Sequence, residues 1–433
     1  MNLEVSYRKI IGISFPIIIG MLIQNVISVT DTMFLGRVGE VALGASAIGG
    51  LMYVVFTMIG LGFSIGIQIM TGRRNGERNF SSIGKIIDHG FLLILFLAFL
   101  LYLVFYFYSS LFLNYFISSK EIFESSIAYI EIRSWALFFS FSNYLFNSFY
   151  IGITKTKILT LSTLITALVN VFLDYVLIFG NFGFSEMGIA GAALASNISE
   201  ICTTIFFIVV TFGNKRIVSF FHLIKIKKID FKLSASIFKL SYPLMIQHFI
   251  SLGGWFVFFL IVEKISGRAL AISNIIRSLY VLMMIPMWGM AISTNTLVSN
   301  FIGEKSYDKV IPLIKKITFL CFIITIFTIL PIWIFLEPIL NIYTENIELV
   351  KGTIPVMYVL FFGLILLSVS IILFNGVSGT GNTKMSLIIE SSCILIYLAY
   401  SYYIALYLNL GVVWAWTSEC IYFLSLLIFS IIY

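Results

Sequence analysis

Residues 15–39 read FPIIIGMLIQNVISVTDTMFLGRVG, an apolar run that is long enough to cross a bilayer as a helix. Pro16 removes one backbone hydrogen-bond donor from this helix and bends it, which predicts a hinge. Asp31 puts a carboxylate near the far end of the run, and an acid inside a membrane helix costs roughly 2.5–3.5 kcal/mol on insertion scales. Because that cost needs a compensating role, Asp31 is predicted to be functional.

The composition is that of a membrane protein along the whole chain. Of the 433 residues, 60% are hydrophobic and only 11% are charged, and one span needs about 20 apolar residues. The sequence therefore predicts an all-α integral membrane protein with twelve transmembrane helices and no sizeable soluble domain. The predicted spans are 10–35, 42–70, 86–113, 127–151, 158–180, 187–212, 236–262, 269–297, 313–336, 353–376, 385–408 and 411–432.

The basic residues predict the orientation of these spans. Most of the 27 Lys and Arg residues lie in loops on the side that also holds both termini and the loop 213–235, whereas Arg133 is one of the few on the other side. Positively charged loops stay in the cytoplasm. We therefore expect a multi-pass protein of the cell inner (plasma) membrane with both termini cytoplasmic. Because the net charge of +7 serves topology, no nucleic-acid partner is expected.

The longest basic loop, 213–235, divides the chain into a predicted N-lobe, 1–212, and a predicted C-lobe, 236–433, with six helices each. A shift of 227 residues joins four landmarks: Pro16 with Pro243, Leu43 with Leu270, Gly76-Glu77 with Gly303-Glu304, and Thr156-Lys157 with Thr383-Lys384. One constant offset indicates an internal repeat. The two pseudo-symmetric bundles should therefore run parallel and enclose a cavity, a design that is typical of transporters.

The two halves differ in their buried acids. At the same shift Asp31 corresponds to Phe258 and Asp174 to Ser401. At 1.5 Å per residue, both acids should lie ~8–9 Å inside the outer membrane boundary. Residues four apart share a helix face, which adds Asn170 beside Asp174 and Ser196 beside Glu200. We expect one polar pocket in the first bundle, formed by Asp31, Asn170, Asp174 and Ser196.

Two carboxylates that lie close together in a low dielectric do not both stay ionised without a counter-charge. Either one of them takes a proton, or a cation such as Na⁺ lies between them, and the oxygens of Asn170 and Ser196 suit both cases. The pocket is therefore predicted to bind a coupling ion, H⁺ or Na⁺. Beyond a possible Na⁺ at Asp31, Asn170, Asp174 and Ser196, no metal and no cofactor are expected, since the His and Cys residues are dispersed.

A cavity for drug-sized compounds is lined by flat or soft side chains and a few polar ones. The candidate substrate-binding residues are Gln24, Asn143, Asn147, Glu200, Trp255 and Met283. Three further groups have structural interpretations. Arg277 and Glu419 are predicted to pair within the second bundle, Glu390 and Glu263 to anchor helix ends at the membrane interface, and Asp88 with His89 to be solvated at the cytoplasmic surface.

Pro16, Gln24 and Asp31, followed by Phe34-Leu-Gly-Arg-Val-Gly39, resemble the first helix of the multidrug and toxic compound extrusion (MATE) family. The stretches that resemble its later helices are Tyr242-Pro243, Gly267-Arg-Ala-Leu-Ala-Ile-Ser273, Gly152-Ile-Thr-Lys-Thr-Lys157 and Gly188-Ile-Ala-Gly-Ala-Ala-Leu-Ala195. The resemblance implies twelve helices in two lobes. It also implies export of organic, often cationic, compounds by alternating access, driven by inward movement of Na⁺ or H⁺. We expect a monomer in the lipid bilayer, and no enzyme.

The DinF-like branch of that family builds an N-lobe site from an Asp, an Asn and Asp four residues apart, and a Thr. These correspond by resemblance to Asp31, Asn170, Asp174 and Ser196. The NorM-like branch uses further acids in its seventh, eighth and tenth helices, where this chain has Phe258 and the stretch Gly376–Gly381. The resemblance is therefore expected to be closer to the DinF-like branch, with coupling through the N-lobe.

Two other classes of function remain open. A lipid-linked oligosaccharide flippase of the same wider superfamily would share the lobes, but it needs basic residues for a pyrophosphate, and only Arg277 is offered inside a span. A membrane-embedded enzyme would need a cluster of His or Ser residues or a metal site at the membrane surface, which the sequence lacks.

Overall fold

The computed structural model describes residues 6–225 and 228–433, apart from the side chain of Phe116. These residues form fifteen α-helices and no strand. The helices are α1 (Tyr7–Val38), α2 (Glu40–Gly76), α3 (Phe80–Phe116), α4 (Lys120–Ser134), α5 (Ala136–Gly152), α6 (Lys157–Phe179), α7 (Gly188–Phe212), α8 (Lys215–Phe221), α9 (Phe231–Ile265), α10 (Gly267–Gly303), α11 (Val310–Ile334), α12 (Leu336–Tyr343), α13 (Ile347–Gly379), α14 (Thr383–Tyr402) and α15 (Val412–Ile432).

The all-α membrane architecture is confirmed. Within the described ranges, eleven helical segments are long and apolar enough to cross a membrane, and they coincide with eleven of the predicted spans. The remaining predicted span, 127–151, is divided at Trp135 into α4 and α5. Trp135 keeps helical dihedral angles (φ −64°, ψ −28°), so the two segments follow each other closely. The short helices α8 and α12 were not predicted, because neither is long enough to give a span.

The described residues form two compact units. Unit A is Ile19–Met245, and unit B is Ile246–Tyr433 with the described residues up to Ile18. Unit A therefore includes residues 236–245, which the predicted boundaries assign to the C-lobe, and unit B includes the start of α1. Helices α1 and α9 thus each change unit two residues after a proline, Pro16 or Pro243.

Two glycines that correspond through the repeat explain why α1 and α9 each begin in one unit and continue in the other. In unit A, Gly62 of α2 lies against the backbone of α9, and a Cβ there would be 2.6 Å from the oxygen of Leu244 and from Cα of Met245. In unit B, Gly289 of α10 lies against Ile18 of α1, where a Cβ would collide with Cγ1 of that side chain and lie 3.3 Å from its backbone nitrogen. Each glycine admits the first segment of the helix that contains the proline. The repeat therefore extends to this contact.

Substitution of Gly62 by alanine should destabilise the protein. The new Cβ forces the backbone of α9 outward, and overpacking of this kind costs about 1–3 kcal/mol. A lower melting temperature of the purified protein in detergent would show the effect. Gly253→Ala is the matched control, because no atom lies within 4 Å of a Cβ at that helical glycine. Equal melting temperatures for the two variants would contradict the proposed contact.

Candidate functional site

The four residues of the predicted pocket lie together in unit A, and we call them the candidate cation site. The carboxyl groups of Asp31 on α1 and Asp174 on α6 are within hydrogen-bonding reach of each other. Nδ2 of Asn170 lies 3.5 Å from Oγ of Ser196 on α7, a long hydrogen bond. Asp174 is 0% exposed and Asn170 1%, whereas Asp31 and Ser196 are half-buried. The helix spacing derived from the sequence therefore brings these side chains to one place.

The oxygens of this site lack donors. Oδ1 of Asp31, Oδ1 of Asn170 and both carboxyl oxygens of Asp174 are buried, and no described donor is bonded to them. An unpaired buried polar group costs about 1–3 kcal/mol, so nearly all are satisfied in folded proteins. One proton between Asp31 and Asp174 would supply a donor and remove the repulsion of two anions. A hard cation, which prefers oxygen ligands, would do the same. The site therefore fits H⁺ or Na⁺.

The hairpin of α6 and α7 fixes the position of Asn170, Asp174 and Ser196. Gly180 ends α6 in a left-handed conformation (φ 68°), and a Cβ there would lie 2.7 Å from the backbone nitrogen of Glu186. Gly191 of α7 packs on the backbone of Leu177 in α6, where a Cβ would also meet atoms at 2.7 Å. The two helices are therefore in close contact along the site.

An apolar cluster lies one turn from the site, toward the C-terminal ends of α1 and α6. It consists of Leu35, Ala42, Ile178 and Ala192. Leu35 follows Asp31 by four residues, Ile178 follows Asp174 by four, and Ala192 precedes Ser196 by four. Because residues four apart lie one above the other on a helix, Asp31, Asp174 and Ser196 each have an apolar neighbour in this cluster. This cluster limits solvent access to the site from that side.

The structure adds a buried ion pair that the sequence did not predict. Nη2 of Arg133 on α4 lies 2.9 Å from Oε1 of Glu200 on α7, and Nη1 donates to Oδ1 of Asn197 at 2.9 Å. The guanidinium also stands 4.0 Å from the centre of the Tyr53 ring, which is a favourable cation–π distance. Arg133 was interpreted as a loop residue that serves topology. That interpretation was wrong, because its side chain is buried and paired.

Glu200 and Asn143, both predicted to bind substrate, have internal partners in unit A. The second carboxyl oxygen of Glu200 accepts a hydrogen bond from Ser140. The amide of Asn143 donates to the backbone oxygen of Glu200 at 3.1 Å and accepts from Thr204 at 3.0 Å. These bonds hold α5 against α7. They give both residues a structural role, while their contact with substrate stays a prediction.

The other predicted substrate-binding residues are divided between the units. In unit A, Gln24 is exposed and Asn147 is half-buried. In unit B, Met283 is fully buried, and Trp255 is half-buried with its ring 5.2 Å from that of Phe259. Complete burial gives Met283 a packing role. Substrate contact by these four residues also stays a prediction.

The predicted pair of Arg277 and Glu419 was wrong. Glu419 is buried and accepts hydrogen bonds from the hydroxyls of Tyr280 at 2.8 Å and Tyr397 at 3.0 Å. Arg277 is exposed, and its guanidinium lies 5.7 Å from the ring of Phe259. The anchoring role predicted for Glu390 was also wrong, since only 2% of this residue is exposed. At Glu419, two neutral tyrosine hydroxyls therefore take the place of the expected Arg277.

Asp88 and His89 hold the loop 213–235 and are not merely solvated. The carboxylate of Asp88 accepts from the backbone N–H groups of Ile224 and Lys225, both at 3.0 Å. Nε2 of His89 accepts from the N–H of Asp230 at 2.9 Å, so its Nδ1–H donates to the oxygen of Lys85 at 2.8 Å. The prediction of solvated side chains was wrong, because the loop returns to the start of α3.

A family model, MatE, matches residues 16–176 and again 243–403. The chain belongs to the MatE family. The two matches begin 227 residues apart, at Pro16 and Pro243, which confirms the internal repeat. The curated relatives of this family are named multidrug resistance proteins, and the chain is a membrane transporter of a multidrug efflux family and no enzyme.

Two curated relatives extend over most of the chain. A probable multidrug resistance protein NorM of Thermotoga maritima is 24% identical over 414 residues, which cover 94% of this chain and 88% of that protein. A multidrug resistance protein NorM of Photobacterium profundum is 22% identical, with coverages of 81% and 76%. Since these relatives carry the NorM name, they do not support the expected placement nearer the DinF-like branch.

Solved structures share the fold. One, described as the outward-facing conformation of a multidrug resistance MATE family transporter of the MOP superfamily, has a TM-score of 0.89 and 19% identity and covers 98% of this chain and 93% of that one. A MOP superfamily transporter from Pyrococcus furiosus, described as having a binding pocket of reverse polarity, gives the same values. These similarities support the architecture of two repeated helical halves.

Removal of one partner of the Arg133–Glu200 pair should destabilise the protein. Glu200→Leu leaves a buried guanidinium without its counter-charge, which costs about 3–5 kcal/mol, whereas replacing both partners with apolar residues is often nearly neutral. Thermal unfolding of Glu200→Leu and of Arg133→Met/Glu200→Leu would measure the difference. Glu124→Leu is the control, because its pair with Lys120 is exposed. A double variant no more stable than Glu200→Leu would contradict the buried pair.

Loss of the Asp88 carboxylate should loosen the loop that it holds. Asp88→Ala removes the acceptor of two backbone N–H groups, so trypsin should cleave at Lys225 and Lys228 severalfold faster than in the wild type. Limited proteolysis followed by mass spectrometry would locate the cuts. Asp308→Ala, at an exposed aspartate, is the control. Unchanged cleavage rates in Asp88→Ala would show that the two hydrogen bonds do not restrain the loop.

Proposed function

We propose that the protein is a secondary active transporter that exports organic, often cationic, compounds in antiport with H⁺ or Na⁺. In this proposal Asp31 and Asp174 bind the coupling ion, and Asn170 and Ser196 complete the site. The observation that supports it most is the contact between two carboxyl groups, in a buried place where no donor is bonded to their oxygens. We also infer an inner-membrane location, cytoplasmic termini and a monomeric state.

The coupling follows from charge. When the site holds no cation, the two acids cannot both stay ionised side by side without a large electrostatic cost. A positively charged substrate would lower that cost, and so would H⁺ or Na⁺. The cationic substrate therefore competes with H⁺ or Na⁺ for the negative charge of the same site. A ligand shifts a conformational equilibrium only as far as its affinities for the two states differ, so this exclusive occupancy is what links ion entry to substrate release.

Helix α1 is the element that would carry this change. It contains both Asp31 and Pro16 and changes from unit B to unit A after Ile18. The missing N–H of a proline weakens a helix locally, so the segment that bears Asp31 can change its angle there. We infer that cation binding joins α1 to α6 through Asp31 and Asp174. Pro16 is the hinge of this proposal.

The arginines Arg133 and Arg277 do not favour the flippase alternative. The guanidinium of Arg133 is neutralised by Glu200, and that of Arg277 is exposed beside an aromatic ring. A pyrophosphate carries several negative charges and needs uncompensated Lys or Arg residues near it. The acidic candidate cation site suits a positively charged compound instead.

Substitution of Asp31 by asparagine should abolish efflux and leave the protein folded. The amide keeps the shape of the side chain but removes the charge for which ion and substrate compete. Efflux of a fluorescent organic cation from preloaded cells would be measured, with size-exclusion chromatography of the purified variant as the check on folding. Glu263→Gln, at an exposed acid of α9, is the control and should keep wild-type efflux.

Wild-type efflux by Asp31→Asn would contradict the proposal. The same assay with an imposed Na⁺ gradient at fixed pH identifies the ion. Acceleration by the Na⁺ gradient assigns Na⁺ as the coupling ion, and acceleration only by a pH gradient assigns H⁺.

A further inference from the structure

Helices α14 and α15 of unit B are joined by two reciprocal hydrogen bonds, each between a tyrosine of one helix and a glutamate of the other. Glu390 of α14 accepts a hydrogen bond from the hydroxyl of Tyr422 on α15 at 2.8 Å, and Glu419 of α15 accepts from the hydroxyl of Tyr397 on α14 at 3.0 Å. The centres of the two tyrosine rings are 5.7 Å apart. Both carboxyl groups are buried, and none of the ion pairs among the described residues includes either of them.

The two acids differ in how their oxygens are satisfied. Glu419 has one tyrosine donor on each oxygen, Tyr280 on Oε2 and Tyr397 on Oε1. At Glu390, two hydroxyls meet the same oxygen, Oε1: Tyr422 at 2.8 Å and Ser251 of α9 at 2.5 Å. At Glu390, therefore, the number of available hydrogens must be compared with the number of acceptors.

The hydrogens around Ser251 do not suffice for an ionised Glu390. Oγ of Ser251 lies 2.9 Å from the backbone oxygen of Gln247 and 2.5 Å from Oε1 of Glu390. A serine hydroxyl has a single hydrogen and can donate it to only one of these two acceptors. Oε1 of buried Gln247, one turn earlier on the same face of α9, also lacks a donor. The contact between α9 and α14 is therefore one hydrogen short.

A proton on Glu390 completes this set. The carboxyl O–H donates to Oγ of Ser251, Ser251 donates to the oxygen of Gln247, and Tyr422 still donates to the remaining lone pair of Oε1. We propose that Glu390 is a proton-binding site of this transporter, separate from the candidate cation site, and that its proton joins α9 to α14. On release of the proton, the carboxylate keeps Tyr422 as a donor, and one of the two bonds of Ser251 is lost.

The groups around Glu390 are those of a proton site. The titratable neighbours are Cys393 on its own helix and Tyr422 on α15, and the acid Glu419 interacts with the far side of Tyr422. Helix α9 faces it with Ser251, and α13 adds the apolar Phe374 and Val377 to the cluster that holds Cys393. The groups in direct contact with Glu390 are therefore neutral donors, with apolar groups beside them. They offer too few oxygen ligands for a metal cation, whereas a single proton satisfies the contact.

The repeat gives this proton a place in the transport cycle. At the 227-residue shift, α9 corresponds to α1 and α14 to α6, the two helices that bear Asp31 and Asp174. Ser251 follows, by six residues, the point where α9 changes unit. The same pair of helices is thus joined by an acid in each half. The acids occupy different positions, since Glu390 corresponds to Thr163 and Ser251 to Gln24.

Infrared spectroscopy of the purified full chain in lipid tests the proton directly. The wild type should show a protonated carboxyl band at neutral pH that Glu390→Gln lacks and Glu419→Gln retains. Ser251→Ala should shift the band to higher frequency, because the acceptor of the carboxyl O–H is gone. The band should disappear at alkaline pH. A spectrum unchanged by Glu390→Gln, or a band that persists at every pH at which the protein is folded, would overturn the proposal.

A transport measurement separates this inference from the proposed function, on which only its role in the cycle rests. Protons taken up per substrate exported would be counted in proteoliposomes, and Glu390→Gln should take up about one fewer than the wild type. An equal count for the two would overturn the role in the cycle. Unimpaired transport by Asp31→Asn would contradict the proposed function instead, and it leaves the infrared result on Glu390 unaffected.

Discussion

The contact between the carboxyl groups of Asp31 and Asp174 is the constraint on which the rest of unit A depends. Two acids in a buried, donor-poor place are stable only with a shared cation. The close packing of α6 and α7 at Gly191 keeps Asp174 there, and the apolar cluster around Leu35 and Ile178 keeps water away on one side. The packing thus keeps the two acids close together and without donors, an arrangement that a bound ion or cationic substrate would stabilise.

The positive charge of Arg133, near this site, is compensated by its own partners. Arg133 is bonded to Glu200 and Asn197, on the face of α7 that turns toward α4, whereas Ser196 turns toward α6. Helix α7 thus separates a compensated pair from an uncompensated one. If Arg133 were free, it would supply the missing positive charge. In the proposed mechanism, its pairing therefore leaves Asp31 and Asp174 to be compensated by an external cation.

The sequence predicted the features that depend on the periodicity of the chain and on the energetic cost of charges inside a membrane. The 227-residue offset predicted the repeat. The energetic cost of acids inside a membrane singled out Asp31 and Asp174, and their similar distances from the helix ends predicted that the two would meet. It did not predict the partner of Arg133, because a pair 67 residues apart depends on tertiary packing. It also missed the burial of Glu390, since the distance of a residue from a helix end does not reveal whether it is buried. The matching glycines Gly62 and Gly289 were visible at the repeat offset, but their contact required coordinates.

Competition between cations for a single site is the central claim, and substrate affinity tests it most directly. The dissociation constant of a fluorescent organic cation would be measured on purified protein, at several pH values and Na⁺ concentrations, for the wild type and Asp174→Asn. The account predicts that one of the two ions weakens binding to the wild type and has no effect on the variant. Wild-type affinity that is independent of both H⁺ and Na⁺ would contradict it.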